Sequence, residues 1–318
     1  SWTRCAGSSA SCADPLACPG RLDGHAVLMR FSVWLSINQP WAEVLATARH
    51  AEATGWDGVW VADHFMGNVD AIPADVPTLE AGSVVAALAA AVPRVRIGTL
   101  VYGNTYRHPA VLANMAATTD HVSGGRFVLG MGAGWQVNEH EQYGIDLPPV
   151  GDRVDRFSEA IQIVCSLLRK PTTTFAGDHY RLTDALCEPK PVQAELPILV
   201  GATGDRMLGI AARFADEWNM WGLPDVIAER SAVLDARCEA AGRDPDAIAR
   251  SAQGLLFVPT TMEDFDAYVK AGIYDFDTEL AVEGTTNSTS SERGLVAGAG
   301  FVFQLSELLG FRVEYEYF

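Results

Sequence analysis

The sequence predicts a single (β/α)8 TIM barrel with an insertion before strand 5 and an atypical last unit. Three observations lead there. From Met29 onward, short apolar runs alternate with longer segments of helical period, and each run ends in glycine or a polar residue. The runs are continuous rather than alternating, which is how strands buried on both faces read. The chain has 318 residues, 48% of them hydrophobic, enough for one large barrel domain with a substantial core.

The strand expectations follow in order. The first run is 31–36, the second 58–63, the third 95–101 and the fourth 127–131. Then come 198–201, 217–221 and 254–258. An eighth is needed for closure, and Ile273-Tyr-Asp-Phe276 is the weakest of the set. Between the runs, Pro40 to Thr54 predicts a helix with Trp41, Leu45 and Ala48 on one face, stopped at Gly55. Pro109 suits the first turn of another helix, where its missing N–H costs nothing. Val154, Phe157, Ile161, Val164 and Leu168 follow a 3-4-3-4 spacing, which makes one apolar stripe. Strand-helix alternation implies parallel strands joined by right-handed crossovers.

Two stretches break the rhythm. Residues 171–195 are rich in Pro, Thr, Gly and Asp and read as an insertion between the fourth helix and the fifth strand. The tail 277–318 is polar and Ser/Thr-rich before turning apolar again, and it reads as divergent. At the other end, residues 1–28 carry Cys5, Cys12 and Cys18 among small residues and read as a disordered or non-native extension. The catalytic barrel is therefore expected over 29–276.

Charge narrows the function classes. The formal net charge is −17, and Lys170, Lys190 and Lys270 are the only lysines. A nucleic-acid partner is not expected without a basic face. No apolar run reaches the roughly 18 residues of a spanning helix, so no membrane partner is expected either. Cys165, Cys187 and Cys238 are scattered, which favours reduced thiols and a cytoplasmic location. No set of residues has zinc-ligand spacing, so no metal is expected.

In a parallel barrel the chemistry sits after the strand ends. Asp63 and His64 follow the second run; a histidine beside a carboxylate can hold one tautomer and transfer a proton. The bland reading is a helix cap and a packed ring. The segment 102–109 follows the third run and offers groups for a heteroaromatic ring or a phosphate. Gly130-Met-Gly-Ala-Gly134-Trp135 is not the dinucleotide fingerprint, whose third glycine would fall at Val137. It suggests either backbone passing close to a flat ligand or a turn with positive φ angles. Gly201-Ala202-Thr203-Gly204 precedes a helical pattern, and free amides at a helix start bind anions. Such amides would compensate for the scarcity of basic side chains.

Together these segments resemble the luciferase-like monooxygenase superfamily, especially its coenzyme F420-dependent branch. The resemblance runs from about Met29 to Gly222. It is carried by 60–64, by Tyr106-Arg-His-Pro-Ala-Val-Leu-Ala113, by Asp120-His-Val-Ser-Gly-Gly-Arg126, by 130–135 with Asn138-Glu139, and by 201–204. It implies a deazaflavin or flavin lying across the barrel mouth, with Asp63 and His64 as catalytic residues near its reactive ring. It also implies a non-proline cis peptide at Leu100–Val101 that bulges behind the ring. Asn138 would contact the ring or its side chain, and Gly201 to Gly204 would take the phosphate. Many relatives carry Glu where this chain has Trp135. That departure points away from sugar-phosphate dehydrogenases and makes Trp135 a substrate neighbour. Arg126, Arg153 and Glu159 also match and read as structural ion pairs.

The leading function is hydride transfer between F420 and a small organic substrate. The alternative is an FMN-dependent monooxygenase, which would need a flavin reductase partner; the third reading is a non-catalytic cofactor-binding protein. A homodimer is compatible with all three.

Overall fold

The computed structural model describes residues 30–67 and 73–254. Its elements, in chain order, are β1 (Ser32–Leu35), α1 (Trp41–Ala53), β2 (Gly58–Val61), α2 (Ala81–Ala91), β3 (Arg96–Thr99) and β4 (Tyr102–Gly103). Then come α3 (Pro109–Ser123), β5 (Phe127–Gly132), α4 (Val137–Tyr143), α5 (Val150–Arg169), β6 (Thr173–Ala176) and β7 (Arg181–Ala185). The last are β8 (Ile198–Gly201), α6 (Asp205–Phe214), β9 (Glu217–Trp221), α7 (Pro224–Ala240) and β10 (Ala249–Gln253).

The strands form one parallel sheet in the order β1-β2-β3-β5-β8-β9-β10, with β4 continuing beside β5. This sheet curls tightly. In a flat sheet with about 4.8 Å between neighbours, β1 and β9 would lie on the order of 24 Å apart. Yet the rings of Trp34 in β1 and Trp221 in β9 meet at 5.3 Å. Arg96 at the start of β3 likewise pairs with Glu217 at the start of β9, although β5 and β8 lie between those strands. Such crossings require a concave interior.

Helices cover the convex face. In α5 all five stripe residues are buried, and fully burying a large apolar side chain is worth about 1.5–3 kcal/mol. Helix α1 buries Val44, Ala48 and Ala51, while Trp41 and Leu45 are only partly covered. Gly55 follows it at φ +89. Helix α3 begins at Pro109, is capped by the His108 ring accepting from the Ala110 amide, and ends at Gly124 in the left-handed region. Cys165, Cys187 and Cys238 are free thiols.

The first six strand expectations hold to within a residue or two at each end. A further strand, β10, occupies Ala249–Gln253, whose residues are mostly exposed, so no apolar run marks it. The run expected at 254–258 lies, apart from Gly254, outside the described residues, as do 1–28, Ile273–Phe276 and 277–318. Residues 171–195 contain an antiparallel hairpin of β6 and β7. Glu159 ties that hairpin down by accepting from the amides of Asp178, His179 and Tyr180. Arg126 donates to the carbonyls of Ser123, Val95 and Ala89, and Arg153 donates to that of Gly134. Among the described residues these three bond backbone groups rather than forming ion pairs.

Candidate active site at the strand ends

The third strand is interrupted where it reaches the mouth. The Leu100–Val101 peptide is cis, as the resemblance implies, and separates β3 from β4. Leu100 and Val101 pack with Trp34 against an interior cluster of Trp60, Val128 and Leu199. Three glycines make room for this bulge. A Cβ on Gly132 would lie 2.6 Å from a Val101 methyl, and Cβ atoms on Gly130 and Gly201 would each lie 3.1 Å from one. At Gly130 a Cβ would also sit 1.9 Å from the Thr99 carbonyl. The glycines at 130 and 132 thus make room for the protein's own chain. Gly134 is the positive-φ turn, at +88.

Asp63 and His64 follow β2, but they do not partner each other. The Asp63 carboxylate is buried and grips Arg107 through two hydrogen bonds of 2.6 and 3.0 Å while accepting from the Gly103 amide at 2.9 Å. Burial pushes its carboxyl above the usual range, against the pull of Arg107 and of that amide. Arg107 also reaches Glu80 at 2.6 Å, and its charge is fully engaged by the two carboxylates. Asp63 neither holds the His64 ring nor caps the following helix; Glu80 caps α2. It braces the loop after β4 instead.

The partner of His64 is Glu139, in the first turn of α4. Nδ1 of His64 lies 2.8 Å from Oε1, and the Phe65 amide donates to Oε2 at 2.7 Å. The Tyr106 hydroxyl donates to Oε1 as well. The Glu139 side chain is 0% exposed. Burial acts to raise its carboxyl, but the bonds from His64, Tyr106 and Phe65 outweigh it and hold the group below the usual carboxylate range. Burial and the Glu139 charge push the Tyr106 phenol upward, so it remains a donor. A carboxylate can only accept, so Nδ1 of His64 carries the hydrogen. Nε2 then becomes the exchanging position, and it has no partner among the described residues. The ring is partly exposed and meets Trp135 edge-on at 5.4 Å. Trp135 itself is 60% exposed, at the surface rather than in the core.

The remaining site expectations divide. Asn138 donates to the Gly67 carbonyl at 2.8 Å, leaving its buried Oδ1 with no partner among the described residues. Ala202 is spent on the fold: its amide donates to the Asn219 carbonyl, and its carbonyl accepts from the Trp218 indole. That removes Ala202 from the anion-binding set. Gly201 closes β8. Thr203 and Gly204 precede α6, and their amides have no acceptor among the described residues. A Cβ on Gly204 would meet nothing within 4 Å. Among the described residues no cluster of His, Cys, Asp or Glu is placed to hold a metal, and no helix is long and apolar enough to cross a membrane.

A family model described as luciferase-like monooxygenase matches residues 24–300. The chain belongs to the luciferase-like monooxygenase family. The match runs well past Gly222, where the resemblance read from individual motifs stops. An F420-dependent glucose-6-phosphate dehydrogenase of Amycolatopsis mediterranei (strain U-32) is 30% identical over 251 residues, which cover 76% of this chain and 68% of that one. The pyrimidine monooxygenase RutA of Allorhizobium ampelinum (strain ATCC BAA-846 / DSM 112012 / S4) is 30% identical over 213 residues. That alignment covers 64% of this chain and 56% of RutA's length. Among solved structures, an F420-dependent secondary alcohol dehydrogenase in complex with an F420-acetone adduct superposes with a TM-score of 0.65 at 25% identity. That superposition covers 70% of this chain and 68% of the other.

Sequence reasoning missed Glu139, Tyr106 and Arg107 as site residues. Each lies inside one of the motifs that carry the resemblance, but their partners are 27 to 75 residues away in the chain. The only available signal was the density of polar and aromatic groups after the third and fourth strands.

Proposed function

We propose that this chain is a coenzyme F420-dependent oxidoreductase on a full (β/α)8 barrel, acting on a small organic substrate. The observation that carries the reading is the His64–Glu139 pair at the strand ends, in a chain 30% identical to an F420-dependent dehydrogenase over 76% of its length. The donor set suits such a cofactor. Thr203 and Gly204 offer open amides at a helix start for a phosphate, and the orphaned Asn138 oxygen offers an acceptor. When bound, the deazaflavin supplies hydride chemistry.

The protein's own part is positioning and proton handling. Glu139 fixes the His64 ring and its tautomer. Nε2 then holds or releases a proton at the substrate oxygen as charge develops there. Tyr106 and the Phe65 amide keep Glu139 ionised. Trp135 borders the substrate, and Asp63 with Arg107 holds the adjoining loop in place. The likeness to RutA supports an FMN-dependent monooxygenase as the second reading. Equilibrium titration with F420 and, separately, FMN tests the choice: F420 is expected to bind more tightly, and far tighter binding of FMN would overturn it.

A further inference from the structure

His140 follows Glu139 in α4, and it is 1% exposed. A buried imidazole needs partners for both nitrogens, and here both have one. Nδ1 lies 2.5 Å from the Gln136 carbonyl, which can only accept, so Nδ1 carries a hydrogen. Nε2 of the neutral ring then accepts from the Thr105 hydroxyl at 2.8 Å. The ring packs on Tyr106, with centroids 4.8 Å apart and planes inclined by 32°.

Each of these three contacts leads to His64 by its own path. Tyr106 donates to Glu139, which holds Nδ1 of His64. Thr105 lies against the turn that carries Trp135: a Cβ on Gly134 would sit 2.6 Å from the Thr105 hydroxyl, and Trp135 meets the His64 ring edge-on. Gln136 donates through its side chain to the carbonyl of Met66, in the loop that carries His64. The loops after β2, β4 and β5 therefore converge on one buried ring. An apolar side chain of similar size would fill the same volume, but it could satisfy neither the Thr105 hydroxyl nor the Gln136 carbonyl at these positions.

Resting on the oxidoreductase reading above, we propose that His140 is a positioning residue for the proton step at His64. It acts through its neighbours rather than on the reacting atoms. It sets the pose of Tyr106 and Thr105, and through them the Glu139 carboxylate and the Trp135 turn that flank the His64 ring. Proton transfer depends steeply on placement, so loosening these supports is felt at Nε2 of His64.

The test follows the Nδ1 hydrogen of His64 by NMR on the isotope-labelled full chain without cofactor. Its signal is assigned by its absence from His64→Ala. In the native chain this hydrogen should exchange slowly with water, because it is bound to a buried carboxylate. In His140→Ala its exchange should accelerate by about tenfold, the protection that roughly one hydrogen bond gives. His140→Phe keeps a ring against Tyr106 and most of the volume, which guards against a variant that fails to fold. It loses both hydrogen bonds and should show a smaller acceleration. The control is the indole N–H of Trp218, buried and bonded to the Ala202 carbonyl at 2.8 Å, which should keep its native exchange rate in both variants. Native exchange at His64 in the folded variants would overturn the proposal. Equal acceleration at Trp218 would overturn it too, because His140 would then only stabilise the fold. The same samples are titrated with F420, followed by the cofactor's own absorbance. Failure of F420 to bind would strike the cofactor reading alone, since the His64 hydrogen is read without cofactor.

Discussion

His64 and Glu139 are 75 positions apart in the chain and 2.8 Å apart in space, joined from the end of β2 to the first turn of α4. The bond assigns the ring's tautomer and leaves Nε2 for the substrate. On that assignment, His64→Ala should lower turnover by about 10²–10⁴-fold while cofactor affinity stays nearly constant. Steady-state kinetics alongside a cofactor titration separate the cases. A folded, cofactor-saturated variant with normal turnover would eliminate the proton role.

Glu139 also makes a pH prediction. Its folded carboxyl is held below the usual range, so the unfolded chain takes up its proton first as pH falls. Its stabilising contribution is complete above the unfolded value of about 4.3 and is lost as pH falls through the lower folded value. Chemical denaturation between neutral pH and acid should therefore show a steeper acid loss for the native chain than for Glu139→Gln. Parallel curves would contradict the assignment.

Asp63 should behave as a support. Its buried bidentate pair with Arg107 means that Asp63→Asn removes one of that cation's two carboxylates and leaves Glu80 as its remaining counter-ion, at a cost of about 1–3 kcal/mol. Thermal melts should record that loss. Turnover per folded, saturated enzyme should fall far less than in His64→Ala, and the reverse pattern would return Asp63 to the chemistry.

Trp135 is largely exposed, so truncation to alanine should change stability by less than about 1 kcal/mol. The ratio of kcat/KM values between bulky and small substrates should move instead. A variant that mainly unfolds and keeps its preference would show Trp135 to be a packing residue.

Gly204 sits at φ −79 with open space where a Cβ would project, so Gly204→Val should fold normally. Its branched side chain would crowd the Thr203 and Gly204 amides, and F420 affinity should fall by about tenfold. Unchanged affinity in the folded variant would remove this site from the phosphate reading.

Some of this was legible in the residues themselves. Five apolar positions of α5 spell out its buried face, Pro109 marks where α3 begins, and six buried strands announce themselves as continuous apolar runs. Strand β10 did not, because Ala249–Gln253 forms an exposed strand of small and polar residues and so lacks the burial that creates the signal. The positions of Asp63 and His64 at a strand end were equally readable, whereas their partners were not.

By itself the sequence determined the period of each element, the glycines and prolines that end them, and the set of polar residues placed after the strands, because these depend on local geometry and on burial of one face. Only the tertiary structure decided which charges meet. Asp63 went to Arg107 and His64 to Glu139, and the glycines at 130 and 132 make room for Val101. The physical reason is the curl of the sheet. It brings strands five places apart within ring contact, and hydrogen bonds of a few ångströms are then set by closure of the whole interior rather than by any neighbouring stretch of chain.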